Sequence, residues 1–273
     1  YLGHSILQMP WHRRGSYPLL RWFSGVLVEA TIGRKLNQLR DTRGLKKLTI
    51  NQAWAKYRVL VDSAFGLEYR RPLPPNIEMV GPMLPATVKP LPTDIEAWLN
   101  EEVPVVYVNL GTIAIASADQ VSRMYKAFEN ASFRVWWVLR PAMQKFLPSG
   151  IAPNIRIDSW GPPLLAVMKH ANVQAFVSHC GINSVHEAMA SGTPIVGIPM
   201  LADQRDMAIR VEDAGVGLFV DKLSFSPEEL RSAIRQVMSD STFVAAIPAI
   251  QASFKQAGGI SYAVDLIEQE ANK

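Results

Sequence analysis

The sequence predicts an α/β protein in which helices cover both faces of a parallel sheet. Two observations support this fold class: continuous apolar runs, which are typical of strands buried on both faces, and amphipathic segments with helical spacing. These two kinds of segment alternate over residues 93–273, as is typical of a doubly wound, Rossmann-like sheet. Such sheets bind ligands at the carboxyl ends of their strands, so we expect the functional residues in the loops that follow the strands.

The composition limits the classes of partner. The 273-residue chain is 48% hydrophobic, which is enough for one large or two ordinary domains. Its net charge of +4 favours a phosphorylated ligand, but no basic run is interleaved with aromatic residues, so we expect no nucleic-acid partner. Cys180 is the only cysteine, which excludes an internal disulfide and predicts a reducing compartment. No apolar run approaches the ~18 residues of a transmembrane helix.

Residues 1–82 contain a small set of secondary-structure signals. They predict a long helix, a short helix and two short strands, at residues 18–40, 51–56, 57–62 and 78–80. Residues 83–92 contain three prolines and predict an interdomain linker. The chain begins with Tyr1 rather than Met, so we expect it to be part of a longer protein.

Residues 93–273 give clearer signals. Six strands are predicted, at residues 105–110, 134–139, 154–157, 173–177, 195–198 and 216–220. Three pairs with capping-box spacing predict helix starts: Thr93 with Glu96, Ser117 with Gln120, and Ser226 with Glu229. The last of these helices is expected to bury Leu230, Ala233, Ile234 and Val237. A terminal helix carries four apolar residues on one face: Ile260, Ala263, Val264 and Ile267.

The stretch from Trp160 to Gln204 carries the strongest functional signal. A buried strand ends near Ser178, Gly181 is expected to let the backbone turn tightly, and residues 182–190 predict a helix with its apolar side toward the sheet. The free N–H groups and the dipole of such a helix start favour an anion, and His179 adds a donor. Glu187 shares the other side with Asn183, where a carboxylate repels phosphate but accepts hydrogen bonds from sugar hydroxyls. These features together predict a nucleotide-sugar ligand.

The residues of this stretch resemble the donor-binding signature of the UDP-glycosyltransferases. The shared pattern is a Trp, then His-Cys-Gly-x-Asn-Ser-x-x-Glu, then Asp-Gln, which begins at Trp160 and ends at Gln204. Members of this family are inverting, metal-independent enzymes of GT-B architecture. The resemblance therefore implies a GT-B fold in which residues 93–273 are the UDP-sugar-binding domain. It also implies that residues 1–82 are the closing part of an N-terminal acceptor-binding domain.

The resemblance assigns the nucleotide contacts residue by residue. Trp160 would stack on uracil and Glu187 would bind the ribose hydroxyls. The diphosphate would be held by His179, Asn183 and Ser184.

The remaining donor contacts follow from the same resemblance and from the positions of the loops. Asp203 and Gln204 would bind the transferred sugar, and UDP-glucose is the favoured donor. Other donor-binding residues are expected at the ends of strands and around the signature: Gly111, Thr112, Arg140, Pro162 and Gly181. No Asp-x-Asp pair occurs in the sequence, so neither a metal nor another cofactor is expected.

The resemblance also indicates what the chain lacks. The family's catalytic base is a His near the start of the N-terminal domain, and no residue here occupies that position; His4 has no strand before it. We therefore assign no catalytic residue and expect this chain to bind a UDP-sugar without transferring it to a small lipophilic acceptor, such as a phenol or sterol. The alternative is a non-catalytic nucleotide-sugar-binding subunit that a separate acceptor-domain chain completes.

The basic helix at residues 18–40 has two interpretations. It carries Trp22 and Phe23 and could lie on a membrane surface. We favour a helix that lines the acceptor cleft, because its apolar stripe shifts around the helix. A cytoplasmic location is expected, with or without association with a membrane surface.

Overall fold

The computed structural model describes residues 22–201 and 203–272. The predictions that fall on residues 1–21, including the start of the first helix and His4, lie outside these residues. Among the residues that the structure describes, no helix combines the length and apolar character needed to cross a bilayer.

The N-terminal part contains the predicted helices and strands. Residues 22–28 are helical and continue through a π-helical turn, Glu29–Gly33, into the next helix. The named elements of this part are α1 (Arg34–Asp41), α2 (Ile50–Ala55), β1 (Val59–Val61) and β2 (Ile77–Met79). β1 and β2 pair in parallel, in register from Val59 opposite Ile77. The limits of the two domains and of the linker stay predictions.

The second part is built on one sheet of six parallel strands. The strands are β3 (Val105–Asn109), β4 (Arg134–Val138), β5 (Ile155–Asp158), β6 (Val173–Ser178), β7 (Ile195–Gly197) and β8 (Gly217–Phe219). Their spatial order is β5-β4-β3-β6-β7-β8. The chain runs outward from β3 to β5 and then returns to place β6 beside β3. The predicted doubly wound sheet is therefore present, with its topological switch point between β3 and β6.

Helices cover both faces of this sheet. They are α3 (Thr93–Leu99), α4 (Ala118–Phe128), α5 (Pro141–Gln144), α6 (Leu164–Met168), α7 (Ile182–Ser191), α8 (Gln204–Asp213), α9 (Pro227–Ser239), α10 (Ser241–Ala257) and α11 (Gly259–Ala271). The capping boxes at Ser117 and Ser226 are both present. The one predicted at Thr93 is wrong: Pro92 is the N-cap and Thr93 is already helical, so its side chain makes no cap bond.

Two apolar layers hold the sheet between the helices. Val106 and Val108 of β3 lie in one layer with residues of α4 and α9, whereas Val105 and Tyr107 lie in the other with α7, α8 and α10. Alternate strand residues point to opposite faces, so a strand that is apolar throughout fills both layers. The four predicted inward residues of α9 are all buried: Leu230, Ala233, Ile234 and Val237.

The C-terminal helices differ from the prediction. α10 was not predicted; its apolar residues are interrupted by Pro248 and by small residues, so its helical period is weak in the sequence. In α11, Ala263 and Leu266 are buried against Val80, but Ile260, Val264 and Ile267 are exposed. The apolar face predicted for this helix is therefore wrong in part. The helix packs on Val80 and Leu60 of the N-terminal part, through Ala263, Leu266 and Tyr262.

Candidate functional site

The strand order places the predicted donor-binding residues along one edge of the sheet. Trp160 follows β5, Arg140 follows β4, Gly111 follows β3, His179 follows β6, and Gln204 follows β7. Because β5, β4, β3, β6 and β7 are neighbours in that order, these loops form a continuous row. The resemblance assigns residues of this row to the nucleoside, the diphosphate and the sugar of the donor. The row places the three groups of residues side by side. The diphosphate residues lie at the switch point.

His179 occupies the gap between the β3 and β6 loops, which two glycines keep open. A Cβ atom on Gly111 would lie 2.7 Å from His179 Nε2, and one on Gly181 would lie 2.5 Å from it. Gly111 also has a φ of +79°, a conformation that side chains rarely adopt. Both glycines are therefore required by the position of the imidazole ring.

The turn into α7 is made by Cys180, and not by Gly181 as the sequence predicted. Gly181 has an ordinary φ of −63°, whereas Cys180 has a φ of +60°. The Cys180 N–H donates to Ser178 Oγ at 3.0 Å, and its fully buried Sγ packs so closely on Gly197 that a Cβ there would lie 2.6 Å away. A left-handed conformation destabilises a non-glycine residue by about 1–3 kcal/mol. We infer that the packing of the buried Cys180 side chain offsets this strain and so fixes the turn.

The N-terminus of α7 has the features of an anion site. Gly181 is its N-cap and provides no side-chain oxygen to the first N–H groups of the helix. Asn183 is exposed and Ser184 is half-buried in the first turn. The first turn thus offers backbone and side-chain donors together with the positive end of the helix dipole.

His179 is electrically neutral in the free protein. Burial lowers its pKa, and the nearby Asn109 backbone and the Asp203 carboxylate oppose this shift only in part. Its Nδ1 is buried and makes no well-aligned hydrogen bond to the described residues. A neutral imidazole beside a helix N-terminus can donate a hydrogen bond to an anion, or take up a proton when a negative charge binds beside it.

Glu187 lies one turn further along α7, on the side of Asn183. It is half-buried, and this burial raises the pKa of its carboxyl group. A partly desolvated carboxylate is stabilised by donors such as sugar hydroxyls, because their hydrogen bonds replace part of the solvation that burial removes.

A pocket of about 150 Å³ lies at the ends of β3, β4 and β5. Five of the predicted residues line it: Gly111, Thr112, Arg140, Trp160 and Pro162. Trp160 is 72% exposed, so its ring is not part of the core and is free to stack on a ligand.

Two residues that support this pocket were not predicted. The amide of Asn109 accepts a hydrogen bond from the Gly111 N–H at 2.9 Å and donates to the Tyr107 hydroxyl at 3.3 Å. That hydroxyl lies directly beneath Gly161, where any side chain would collide with it. Burial raises the pKa of Tyr107 to about 12, so the hydroxyl stays protonated. A polar residue at the end of a buried strand, Asn109, was the available sequence signal.

Arg140 shapes the pocket through the β3–α4 loop. Its two terminal nitrogens donate to the carbonyl oxygens of Thr112 at 2.8 Å and Ala114 at 2.9 Å. The guanidinium group thereby fixes the loop that carries Thr112. Direct contact of Arg140 with a donor stays a prediction.

The row ends at the start of α8, where the two predicted sugar contacts, Asp203 and Gln204, lie. Gln204 Oε1 accepts hydrogen bonds from the N–H groups of Met200 and Leu201, at 2.9 and 2.8 Å, and so orders the loop after β7. Asp203 is the N-cap residue of α8, but its carboxylate does not cap the helix. The two residues lie together, and their contact with a sugar stays a prediction.

A family model described as UDP-glucoronosyl and UDP-glucosyl transferase matches residues 35–252. UDP-glycosyltransferase 1 of Phaeomoniella chlamydospora is 29% identical over 85% of this chain and 50% of its own length. UDP-glucuronosyltransferase 3A1 of Mus musculus is 32% identical over 67% of this chain and 35% of its own length. The chain thus spans half or less of the length of these curated relatives.

Solved structures show the same fold. The glycotransferase of kitacinnamycin superposes with a TM-score of 0.73 at 21% identity, covering 94% of this chain and 66% of that one. Os79 from O. sativa, crystallised with UDP, has a TM-score of 0.66 at 25% identity over 78% of this chain and 55% of that one. These proteins have GT-B architecture, which confirms the predicted fold class. Since the family model spans most of the sequence, the chain belongs to the UDP-glucoronosyl and UDP-glucosyl transferases, the UDP-glycosyltransferase family.

Proposed function

We propose that the complete protein transfers a sugar from a UDP-sugar to a hydroxyl group of a small lipophilic acceptor with inversion, and that this chain contains the donor-binding part. The observation that carries the proposal is the row of loops at the switch point. It runs from exposed Trp160, through His179 and the start of α7, to Asp203 and Gln204. In this arrangement uracil would stack on Trp160, while Glu187 would hold the ribose.

Support for the donor comes from the relatives. The UDP complex of Os79 supports UDP as the nucleotide. The names of the relatives include glucuronosyl and galactosyl transferases, so the sugar varies among similar proteins. We keep UDP-glucose as the favoured donor.

The acceptor proposal rests on the same relatives. The human 2-hydroxyacylsphingosine 1-beta-galactosyltransferase is 31% identical over 65% of this chain, and a second Os79 complex contains a trichothecene. Both names describe lipophilic molecules that carry hydroxyl groups. We therefore propose an acceptor of this class, phenolic, sterol or similar.

We further propose that no metal or other cofactor takes part. Departure of UDP places negative charge on the diphosphate, and the start of α7 together with His179 would stabilise it there. The unpaired, buried Cys180 supports a cytoplasmic location. The basic first helix leaves association with a membrane surface open.

The Glu187 contact gives the sharpest test of the nucleotide proposal. Glu187→Ala should weaken UDP markedly yet leave inorganic pyrophosphate unchanged or bound slightly better, because a negative charge near the anion site is removed. His179→Ala should weaken both ligands. Calorimetric titrations of each ligand into each variant make the comparison. Equal proportional losses in both variants would contradict the separate assignment of ribose and diphosphate.

We also propose that the 273-residue chain binds the donor without transferring the sugar. Three of the five histidines lie among the described residues, and none is placed as a base: His170 bonds to Asn100, His179 belongs to the donor loop, and His186 is buried. A general base is worth about 10²–10⁴ in rate.

Turnover separates this proposal from its alternative, a binding subunit completed by another chain. UDP-glucose and a phenolic or sterol acceptor would be incubated with the chain alone, and with the chain extended by its upstream coding sequence. Glycoside formed only by the extended chain supports a single-chain enzyme. Glycoside formed by the short chain alone would contradict the proposed lack of a base. If neither forms it until a separate acceptor-domain chain is added, the subunit alternative holds.

A further inference from the structure

The segment that follows β1, residues 62–69, packs into the sugar-nucleotide half of the protein. We call it the strap. Its apolar residues Ala64 and Leu67 are buried in the same layer as Ala188 of α7 and Met207 of α8. The strap therefore contacts both helices whose first residues form the proposed donor site.

The first end of the strap is joined to α7 through His186. The His186 Nε2 lies 3.4 Å from the Ser63 hydroxyl, and its Nδ1 lies 4.0 Å from the Asp62 carboxylate. Burial lowers the pKa of His186 to about 4, so the ring is neutral, and its Nε2 and the Ser63 hydroxyl share one hydrogen bond. The trio resembles a nucleophilic triad, but Ser63 is 0% exposed and no substrate can reach it. Its role is to join the strap to the helix.

The second end is joined to α8 by two polar contacts. Glu68 pairs with Arg210 at 3.3 Å, and both side chains are about nine-tenths buried, at 9% and 10% exposure. The Tyr69 hydroxyl donates to the Asp213 carboxylate at 2.5 Å. Breaking a buried ion pair by removing one partner is strongly unfavourable, so this end holds one arrangement.

We propose that the strap is a positioning element for the donor: it fixes α8, which begins at Asp203 and Gln204, relative to α7, which carries the diphosphate and ribose residues. Glu68, Tyr69 and His186 are then positioning residues that touch no substrate. The inference rests on the proposed function, in that it takes the ligand to be a UDP-sugar whose sugar lies at the start of α8. Loosening the α8 end would displace the sugar contacts and leave the nucleotide contacts in place.

The test compares UDP with UDP-sugars in the full 273-residue chain. Dissociation constants would be measured by calorimetry for UDP, UDP-glucose, UDP-galactose and UDP-glucuronic acid, in the wild type, Tyr69→Phe and Glu68→Gln. The matched control is Tyr125→Phe, which also loses a partly buried hydroxyl, bonded to Gly150 O at 3.2 Å and the Ala152 N–H at 3.1 Å, far along the sheet from α8. Hydrogen exchange of the wild type with UDP and with the preferred UDP-sugar is the second measurement, because it needs no variant.

The proposal predicts a selective loss. In Tyr69→Phe and Glu68→Gln, the preferred UDP-sugar should bind about 5- to 30-fold more weakly while UDP changes less than about twofold, and Tyr125→Phe should change neither. In the wild type, the sugar should add exchange protection to residues 62–69 beyond that given by UDP. Equal losses of affinity for UDP and UDP-sugar, or no added exchange protection of residues 62–69, would overturn the positioning role of the strap. A wild type that binds UDP and all UDP-sugars equally would overturn it too. Failure to bind UDP at all would overturn the proposed function itself.

Discussion

His179 is the residue on which the diphosphate end of the site depends. Burial lowers the pKa of its imidazole, and the ring lies between the β3 and β6 loops at the switch point. A diphosphate bound beside it would favour the protonated ring and raise that pKa again. Ligand affinity and protonation of His179 are therefore linked.

This linkage gives a pH prediction. The pKa of His179 is lowered in the free protein, and we expect bound UDP to raise it. The contribution of His179 to the affinity for UDP should therefore increase as the pH falls from 8 to 6. A charge-assisted hydrogen bond is roughly twice as strong as a neutral one. Calorimetric titrations of UDP into wild type and His179→Gln at each pH give the ratio of their two affinities. UDP has the same protonation state in both titrations at a given pH, so its own titration does not affect this ratio. A ratio that does not grow toward pH 6 would contradict the contact.

At this scale, part of the site was predictable. Trp160, Glu187 and Gln204 were assigned through the resemblance to the UDP-glycosyltransferase signature, and in the structure they lie in loops and the first turns of helices along one edge of the sheet. The supporting role of Asn109, which holds Gly111 and Tyr107, was not predicted. Arg140 was predicted as a donor contact, but its hydrogen bonds to the backbone of Thr112 and Ala114 were not. Such contacts depend on which strands are neighbours, and spacing along the chain does not contain that information.

The β6–α7 turn is the element that forms the anion site. Gly181 has a backbone conformation open to any residue, and the three atoms nearest to a Cβ placed there all belong to the His179 ring. Gly181→Ala should therefore leave stability nearly unchanged but displace the ring and weaken UDP.

A double-mutant cycle measures this dependence. In the His179→Ala background the ring is gone, so Gly181→Ala should have little further effect on UDP binding. We expect a coupling free energy of about 0.5–3 kcal/mol between the two positions. Additive effects would mean that Gly181 acts on the ligand independently of His179.

α7 also carries His186, whose burial makes the fold sensitive to acid. Its pKa is about 4 in the folded protein and near 6.5 in the unfolded chain, so the unfolded state binds a proton first as the pH falls. The neutral ring contributes on the order of 3 kcal/mol to the free energy of unfolding. This contribution is complete above pH 6.5 and is lost as the pH falls from 6.5 to 4. Denaturant unfolding should show a shallower acid limb in His186→Gln. Parallel limbs would mean that His186 is not buried as a neutral ring.

The elements themselves differ in how well the sequence predicted them. The buried strands and the Ser117 and Ser226 helix starts were predicted because apolar runs and capping pairs are local signals. α10 was not predicted, because Pro248 and small residues weaken its helical period. The contact face of α11 was predicted wrongly in part, because it depends on a distant partner, Val80. The turn at Cys180 was assigned to Gly181, since glycine is the usual residue there and only the buried Sγ makes cysteine acceptable.

At the scale of the whole chain, the described residues before position 83 pack on the unit built around the six-stranded sheet. The strap and the α11 contact with Val80 attach these residues to that unit. We expected residues 1–82 to belong to a different domain from residues 93–273. Their contact was not predicted, because Ala64 and Leu67, which are buried in the layer of α7 and α8, form no periodic pattern in so short a stretch.

The central claim is that UDP binds along this edge with its base on Trp160 and without a metal ion. Calorimetric titration of UDP in the presence of EDTA tests it most directly, with Trp54→Ala as the matched control because Trp54 is similarly exposed, at 60%, on α2. Wild type and Trp54→Ala should bind UDP equally, and Trp160→Ala should lose about 1–3 kcal/mol, the usual worth of base stacking on an aromatic ring. Unchanged binding in Trp160→Ala, or binding only with added Mg²⁺, would contradict the account.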